Sequence, residues 1–454
     1  MAQETVGTTV CYRVPYRVTV LLLWAQVLAG ALTCRGLFWD GASFLASMLE
    51  SGGFHDFYAA RAHVAWLTEA PTLLLARAGV RDVHLLAMVF SATLFAVPAA
   101  LYYLALARVR GNAILLAAMI ATVATVHLPT SFFIIGEHNV TYALVAATFA
   151  IALTRRDGAR DGVLMLAFGL VAIASYEVMV YLGPITAGVV LWSRRGWRDR
   201  AGRMLSFMAA LAFLGASVVS INSTILYWHH EHFMLVRAAA FDFWQNLQFV
   251  IPLAGLAMIG IVGLVQPGWL GRRGPLIPAA LMALLLAVSP WLREVHPQTF
   301  LFPPSHYVAR TAAGGLLSLL MLLSWVHVAL PKRLRLLAVL HEPVAGRRLA
   351  TAMLLLVLGG AIPEIWLTRQ WVDYLAWFRG VVTSHTGIVS ARDLPLGQWP
   401  YRLFTQEWTY PALSVLLHDG PGQGVVVAPN DYVNDRPFDP LCGTVPKLDG
   451  YAWR

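Results

Sequence analysis

The chain has 454 residues, 58% of them hydrophobic and only 13% charged, with a mean hydropathy of +0.64. A soluble domain carries roughly 25% charge, so this composition excludes a disordered chain, a nucleic-acid-binding protein and an ordinary cytosolic enzyme. It specifies an all-α polytopic membrane protein, in which the formal net charge of +9 matters less than how that charge divides between the two faces.

A span needs roughly 20 apolar residues. Segments of that kind fall at Val14–Thr33, Val83–Leu106, Ala113–Ile135, Val140–Leu153, Val163–Tyr176, Val178–Trp192, Met204–Trp228, Leu247–Leu264, Leu276–Leu292, Thr311–Leu330 and Leu349–Leu367, about eleven in all. The first lacks a small-residue cleavage site and reads as a retained anchor. The fifth and sixth are short and lie between two basic loops, Arg155-Arg156 and Arg194-Arg195. Both loops belong on the cytoplasmic side, so this stretch must enter and return, turning at Ser175-Tyr176-Glu177. With that turn, Arg108, Arg110, Arg272, Arg273, Lys332 and Arg333 also fall on the cytoplasmic side. The N-terminus is then cytoplasmic and the C-terminus outside. Of the 14 histidines, only His327 and His341 lie away from the outer face, so any chemistry is expected there.

Two outer regions are long. The first loop, Arg35–Asp82, contains apolar-periodic stretches at Gly41–Leu49 and Val64–Ala78, which read as helices along the interface, with Trp39 and Trp66 suited to the headgroup layer. Residues 1–369 form the transmembrane part. The segment 370–454 begins amphipathically (Trp371, Leu375, Trp377, Phe378), ends rich in Pro, Gly and Asp, and holds one strand-like run, Gly424–Ala428. Of the cysteines Cys11, Cys34 and Cys442, the last two share a compartment and can pair, but three cysteines make neither a disulfide framework nor a zinc site. No internal repeat is evident.

Asp40 follows the first span in Phe38-Trp39-Asp40-Gly41. An acid so close to the bilayer and flanked by aromatics is partly desolvated, which raises its pKa toward that of a useful general base; the competing reading is an N-cap for the helix 42–49. Glu137-His138-Asn139, between the third and fourth spans, is either a sugar- or metal-binding pair or a polar turn. Glu177 at the hairpin tip is a candidate substrate contact or the partner of an arginine. His229-His230-Glu231-His232, after the seventh span, suits contact with a phosphate better than a metal, since no known ligand spacing is matched. Arg293, His306 and Arg310 bracket the loop between the ninth and tenth spans, where arginines either clamp a lipid phosphate through forked donors or anchor to headgroups. No dinucleotide, Walker, nucleophile-elbow, HExxH or CxxC motif occurs in a supporting context.

The acid after the first span, the long first loop, the split pair at 162–192 and the polar loop after the seventh span resemble the GT-C superfamily of membrane glycosyltransferases, over roughly residues 14–250. Where members carry an acidic pair, this chain has the single acid of Asp40-Gly41-Ala42. The resemblance implies an inverting enzyme at the outer face of a bacterial inner membrane. It would move a sugar from a polyprenyl-phosphate donor to a glycolipid, polysaccharide or protein acceptor. Asp40 would be the base; Arg293, Arg310, His229, His230, His232 and His306 would hold the donor phosphate. Glu137, His138, Glu177 and Glu231 would contact substrate. No cofactor is required and a divalent metal stays open. The alternatives are a polysaccharide polymerase or ligase using diphosphate-linked donors, in which the arginines dominate, and a lipid or glycan transporter, which would bury charges through the depth of the bilayer.

Overall fold

The computed structural model describes residues 12–55, 58–131, 136–154, 158–195, 199–226, 244, 246–295, 303–330, 343–398, 400–405, 407–428 and 445–454. Each of the eleven predicted segments is helical: α1 (Arg13–Leu32), α4 (Val83–Val109), α5 (Ala113–Thr122), α6 (Glu137–Thr154), α7 (Gly158–Ala172), α8 (Met179–Arg194), α9 (Arg200–Leu226), α10 (Leu247–Val265), α11 (Leu276–Val295), α12 (Pro303–Ala329) and α13 (Pro343–Ser384). The first loop adds α2 (Asp40–Ser51) and α3 (Ala62–Arg77). Among the described residues seven helices are long and apolar enough to cross a membrane, and the chain is an all-α polytopic membrane protein to that extent. The predicted return at Ser175-Tyr176-Glu177 is present, between α7 and α8.

Short polar side chains start the helices. Asp82 accepts from the amides of His84 and Leu85 at 2.9 and 3.4 Å, Asn112 from Ile114 and Leu115 at 3.1 Å each, and Asn246 from Phe249 at 3.1 Å. Each satisfies amides that the first turn leaves without partners. Buried ion pairs tie loop ends together. Arg108 pairs with Asp161 between α4 and α7, and Arg35 pairs with Glu364 at 3.1 Å, fixing the exit of α1 to α13.

Helix α6 lies at the centre of the bundle, with every residue from Glu137 to Leu153 buried. Its many alanines let neighbours approach closely, which is how helices gain contact where solvent supplies no hydrophobic drive. The α8–α9 crossing is closer still: a side chain at Gly183 would meet the Phe213 carbonyl at 2.6 Å. Hydroxyls on α9 then reach the hairpin, Ser217 donating to the Val180 carbonyl at 2.9 Å and Ser220 to that of Tyr176 at 3.2 Å. Helix α5 widens into a π-helical turn at Val123–His127, followed by a 3₁₀ turn, Leu128–Thr130.

The boundary expected at residue 370 falls inside an unbroken helix. Helix α13 runs 42 residues, about 60 Å at ~1.5 Å per residue, twice the ~30 Å of a bilayer core. Its far half carries the tail, in which β1 (Ile388–Ser390) pairs in parallel with β2 (Val425–Val427), the latter matching the strand-like run, and α14 (Tyr410–Leu416) packs beside them. This tail shares one apolar cluster with the first loop and the start of α4, including Phe44, Leu45, Met48, Phe90, Trp371, Tyr374, Phe378 and Phe404. The two regions form one cap over the end of the bundle.

Among the described residues Cys34 has no disulfide partner, and burial pushes its thiol up to about 12. Cys442 lies outside the described residues.

Candidate functional site

Asp40 sits where α1 hands over to α2. Two non-glycine residues in this turn have positive φ, Cys34 at 50° and Trp39 at 52°. Such conformations cost of order 1–3 kcal/mol each and persist only where the surroundings enforce them. The enforcement here is aromatic and polar. Trp39 stacks on Phe38 with centroids 5.5 Å apart, and Phe38 lies edge-on to Trp371 at 5.6 Å and Phe404 at 6.0 Å. The Trp371 indole donates to the Thr33 carbonyl at 2.9 Å, and the Gly36 amide to Ser91 Oγ at 2.9 Å.

The N-cap reading of Asp40 is corrected. Trp39 occupies the cap position and Asp40 is the first helical residue, with no side-chain cap hydrogen bond. The strained φ of Trp39 starts the helix early enough that the Asp40 carboxylate is not spent on an amide. Among the described residues it makes no hydrogen bond or ion pair, and it is half-buried. Burial raises its pKa from the ordinary 3.8 to about 6, with Glu137 adding to the rise and Arg310, Arg61 and His55 opposing it.

Those neighbours come from four separate elements. Glu137, His138 and Asn139 are the buried first turn of α6 rather than a polar turn between helices. His138 Nε2 donates to the Thr130 carbonyl at 3.3 Å, and its ring lies 5.9 Å from those of Tyr142 and Tyr176. Arg310, buried near the start of α12, is placed by its backbone: its carbonyl accepts the Tyr142 hydroxyl at 2.5 Å. That approach requires Gly314 one turn later, where a side chain would collide with the Tyr181 hydroxyl and come within 2.9 Å of that of Tyr142.

Arg61 joins these groups. It pairs with Glu177 at 3.0 Å and with Glu137 at 3.7 Å, and lies over the rings of Tyr58 (4.3 Å) and Tyr176 (5.1 Å). Arg310 stands 5.5 Å from the same Tyr176 ring, so one aromatic residue spaces two guanidinium groups. Burial works against the Glu177 carboxylate, but Arg61, with lesser help from a backbone amide and Arg310, holds it below the usual range. Glu177 is therefore the arginine partner that its position allowed. Glu137 Oε1 has no hydrogen-bond partner among the described residues.

The structure thus brings together Asp40, Glu137, His138, Glu177 and Arg310 of the predicted set. Arg293 and His306 fall on the backbones of α11 and α12, and their side chains lie outside the described residues, as do His229, His230, Glu231 and His232 entirely. Sequence reasoning missed Arg61, Tyr58, and the buried pair His55–Glu69. The one available signal was composition, since Arg61 and Glu69 are charges flanking or inside the apolar stretch 64–78. Among the described residues no group of three or more His, Cys, Asp or Glu converges to hold a metal ion. A separate cavity of about 440 Å³ in the tail, lined by Arg392, Gln398, Glu407 and Tyr410 among others, contains none of the predicted site residues.

Comparison of the chain with protein-family models, curated proteins and solved structures returns no match.

Proposed function

We propose that the chain is an inverting glycosyltransferase of GT-C type, with about eleven spans. It would use a polyprenyl-phosphate sugar at the outer face of a bacterial inner membrane, with the N-terminus cytoplasmic and the C-terminus periplasmic. The observation that carries this reading is a carboxylate, Asp40, without a hydrogen-bond or ion-pair partner among the described residues, held near the end of the first span within the electrostatic reach of two arginines from distant elements. A purely structural acid in such surroundings would be expected to sit on one of those arginines, as Glu177 does.

Asp40 accepts the proton of an acceptor hydroxyl as that oxygen bonds to the anomeric carbon. The bond from that carbon to the phosphate oxygen breaks on the opposite face, inverting the centre, and its electrons leave with the lipid phosphate. Arg310 stabilises the departing charge through forked donors. Arg61, engaged by Glu177 and Glu137, fixes the turn that presents Tyr176. A base whose pKa is about 6 is ionised at neutral pH yet still basic enough to take a proton in the transition state. The acceptor remains a glycolipid, polysaccharide or protein.

The test is sugar transfer by purified protein in lipid, from a polyprenyl-phosphate donor. Asp40→Asn should lose about 10²–10⁴-fold in rate with unchanged expression and monodispersity. Near wild-type transfer by that variant refutes the assignment of the base.

A further inference from the structure

A second buried ionisable pair lies close enough to Asp40 to act on its charge. Glu69 projects from α3 and is almost fully buried, as is His55 in the link between α2 and α3. Both oxygens of Glu69 are engaged by this one residue: Oε1 by His55 Nδ1, and Oε2 by the His55 backbone amide at 3.3 Å. Because Nδ1 faces a carboxylate, it is the donor in this contact. Burial pushes the Glu69 carboxyl up, and the bonds from His55 oppose that push.

The imidazole also meets α2. His55 stacks on Phe44 with centroids 3.9 Å apart and planes within 6°. Phe44 is four residues after Asp40, on the same helix face, and a helical side chain leans back over the preceding turn. Glu69, His55 and Phe44 therefore form a continuous stack from α3 to the turn that carries Asp40. We propose that His55 and Glu69 are positioning residues for Asp40: Glu69 clamps His55 against α2, and the clamped imidazole fixes the seat of the carboxylate and the charge it faces.

The charged groups that face Asp40 are Glu137 from α6, Arg310 from α12, Arg61 from the turn before α3, and His55. Glu69 from α3 and Asp40 from α2 are among the groups that act on His55, and Glu69 also feels Glu137. Of the groups around Asp40, His55 is the one held in place by Glu69. Removing it leaves Glu137 and the two arginines where they were, so the Asp40 carboxyl should bind its proton more tightly. The proposal rests on the glycosyltransferase reading only for its effect on turnover.

The experiment uses full-length protein in nanodiscs and the variants His55→Gln and Glu69→Gln. Asp40 is modified with a water-soluble carbodiimide across pH 4–8, and the labelled peptide is quantified by mass spectrometry. In wild type the labelling midpoint should lie near 6; in His55→Gln it should rise by a fraction of a pH unit, since His55 is the weakest of the charges named above, and in Glu69→Gln by less. Midpoints that coincide with wild type in both folded variants overturn the proposal. If neither variant folds, Phe44→Leu, which cuts the stack but spares the pair, decides: an unmoved Asp40 midpoint there leaves the pair a stability role alone and overturns it equally. A shifted midpoint in a protein whose wild type transfers no sugar supports the positioning role while refuting the glycosyltransferase reading, and full sugar transfer by Asp40→Asn refutes only the assignment of the base, so the failures are distinguishable.

Discussion

Replacing Asp40 by Asn should stabilise the protein while abolishing turnover. Burial lifts the carboxyl from 3.8 to about 6, and a tenfold change in proton affinity is worth ~1.36 kcal/mol. The raised value means that between pH 4 and 6 the folded protein keeps a proton that the unfolded chain has released. Stability from this group therefore falls as pH rises through that window, and the full penalty persists above pH 6. The undiscounted figure is about 3 kcal/mol, and partial solvent access at the side chain reduces it to about 1–3 kcal/mol. Asn has the same shape and no charge to bury. Thermal unfolding of detergent-purified wild type and Asp40→Asn, followed by intrinsic fluorescence at pH 7.5 and at pH 4.5, measures the difference. The variant should melt several degrees higher at pH 7.5, with the gap closing at pH 4.5. Equal or lower melting of the variant at pH 7.5 would show that the carboxylate has partners that offset its burial, and would refute the reasoning.

Arg310→Ala should lower sugar transfer by about 10²–10³-fold, and Arg310→Lys should recover only part of it, because an ammonium keeps the charge without the forked donors; full recovery by Lys would reduce the role of Arg310 to bulk charge. Gly314→Ala forces the Tyr181 and Tyr142 hydroxyls away and should cost about 1–3 kcal/mol, with a loss of transfer exceeding the loss of folded protein, measured by activity per mole of monodisperse enzyme. Trp371→Ala empties the core of the cap and removes the bond to the Thr33 carbonyl, which should cost about 3–5 kcal/mol and expose the tail to limited proteolysis before the bundle unfolds.

The helices were legible because apolar runs alternate with arginine-rich loops, and each run is helical over most of its described length, although α12 begins at Pro303, before the expected Thr311, and α13 runs on to Ser384, past the expected Leu367. The expected break at residue 370 is absent. Glu364 and Arg369 interrupt the hydropathy of α13, but nothing between them and Ser384 breaks a helix, so backbone hydrogen bonding carries through while the environment changes from bilayer to cap. Asp40 was legible from its place after the first span, whereas its freedom from capping was not. That freedom depends on the positive φ of Trp39, imposed by Phe38, Trp371 and Phe404, and aromatic packing over more than 300 positions leaves no local trace. Arg61 was hidden for the same reason, since Glu177 is 116 residues away in sequence. His138 has the polar neighbours of a loop residue; in fact α6 begins inside the bundle, where Thr130 supplies the partner that water would have supplied outside.

Electron cryo-microscopy of the protein in nanodiscs with a polyprenyl phosphate bears on the pairing of base and phosphate without depending on any acceptor. Phosphate density on the Arg310 guanidinium, with the Asp40 carboxylate facing it across an unfilled space the size of a sugar ring, is the expected result. Phosphate density remote from both residues, or a bound state in which Asp40 itself closes onto Arg310, would contradict it.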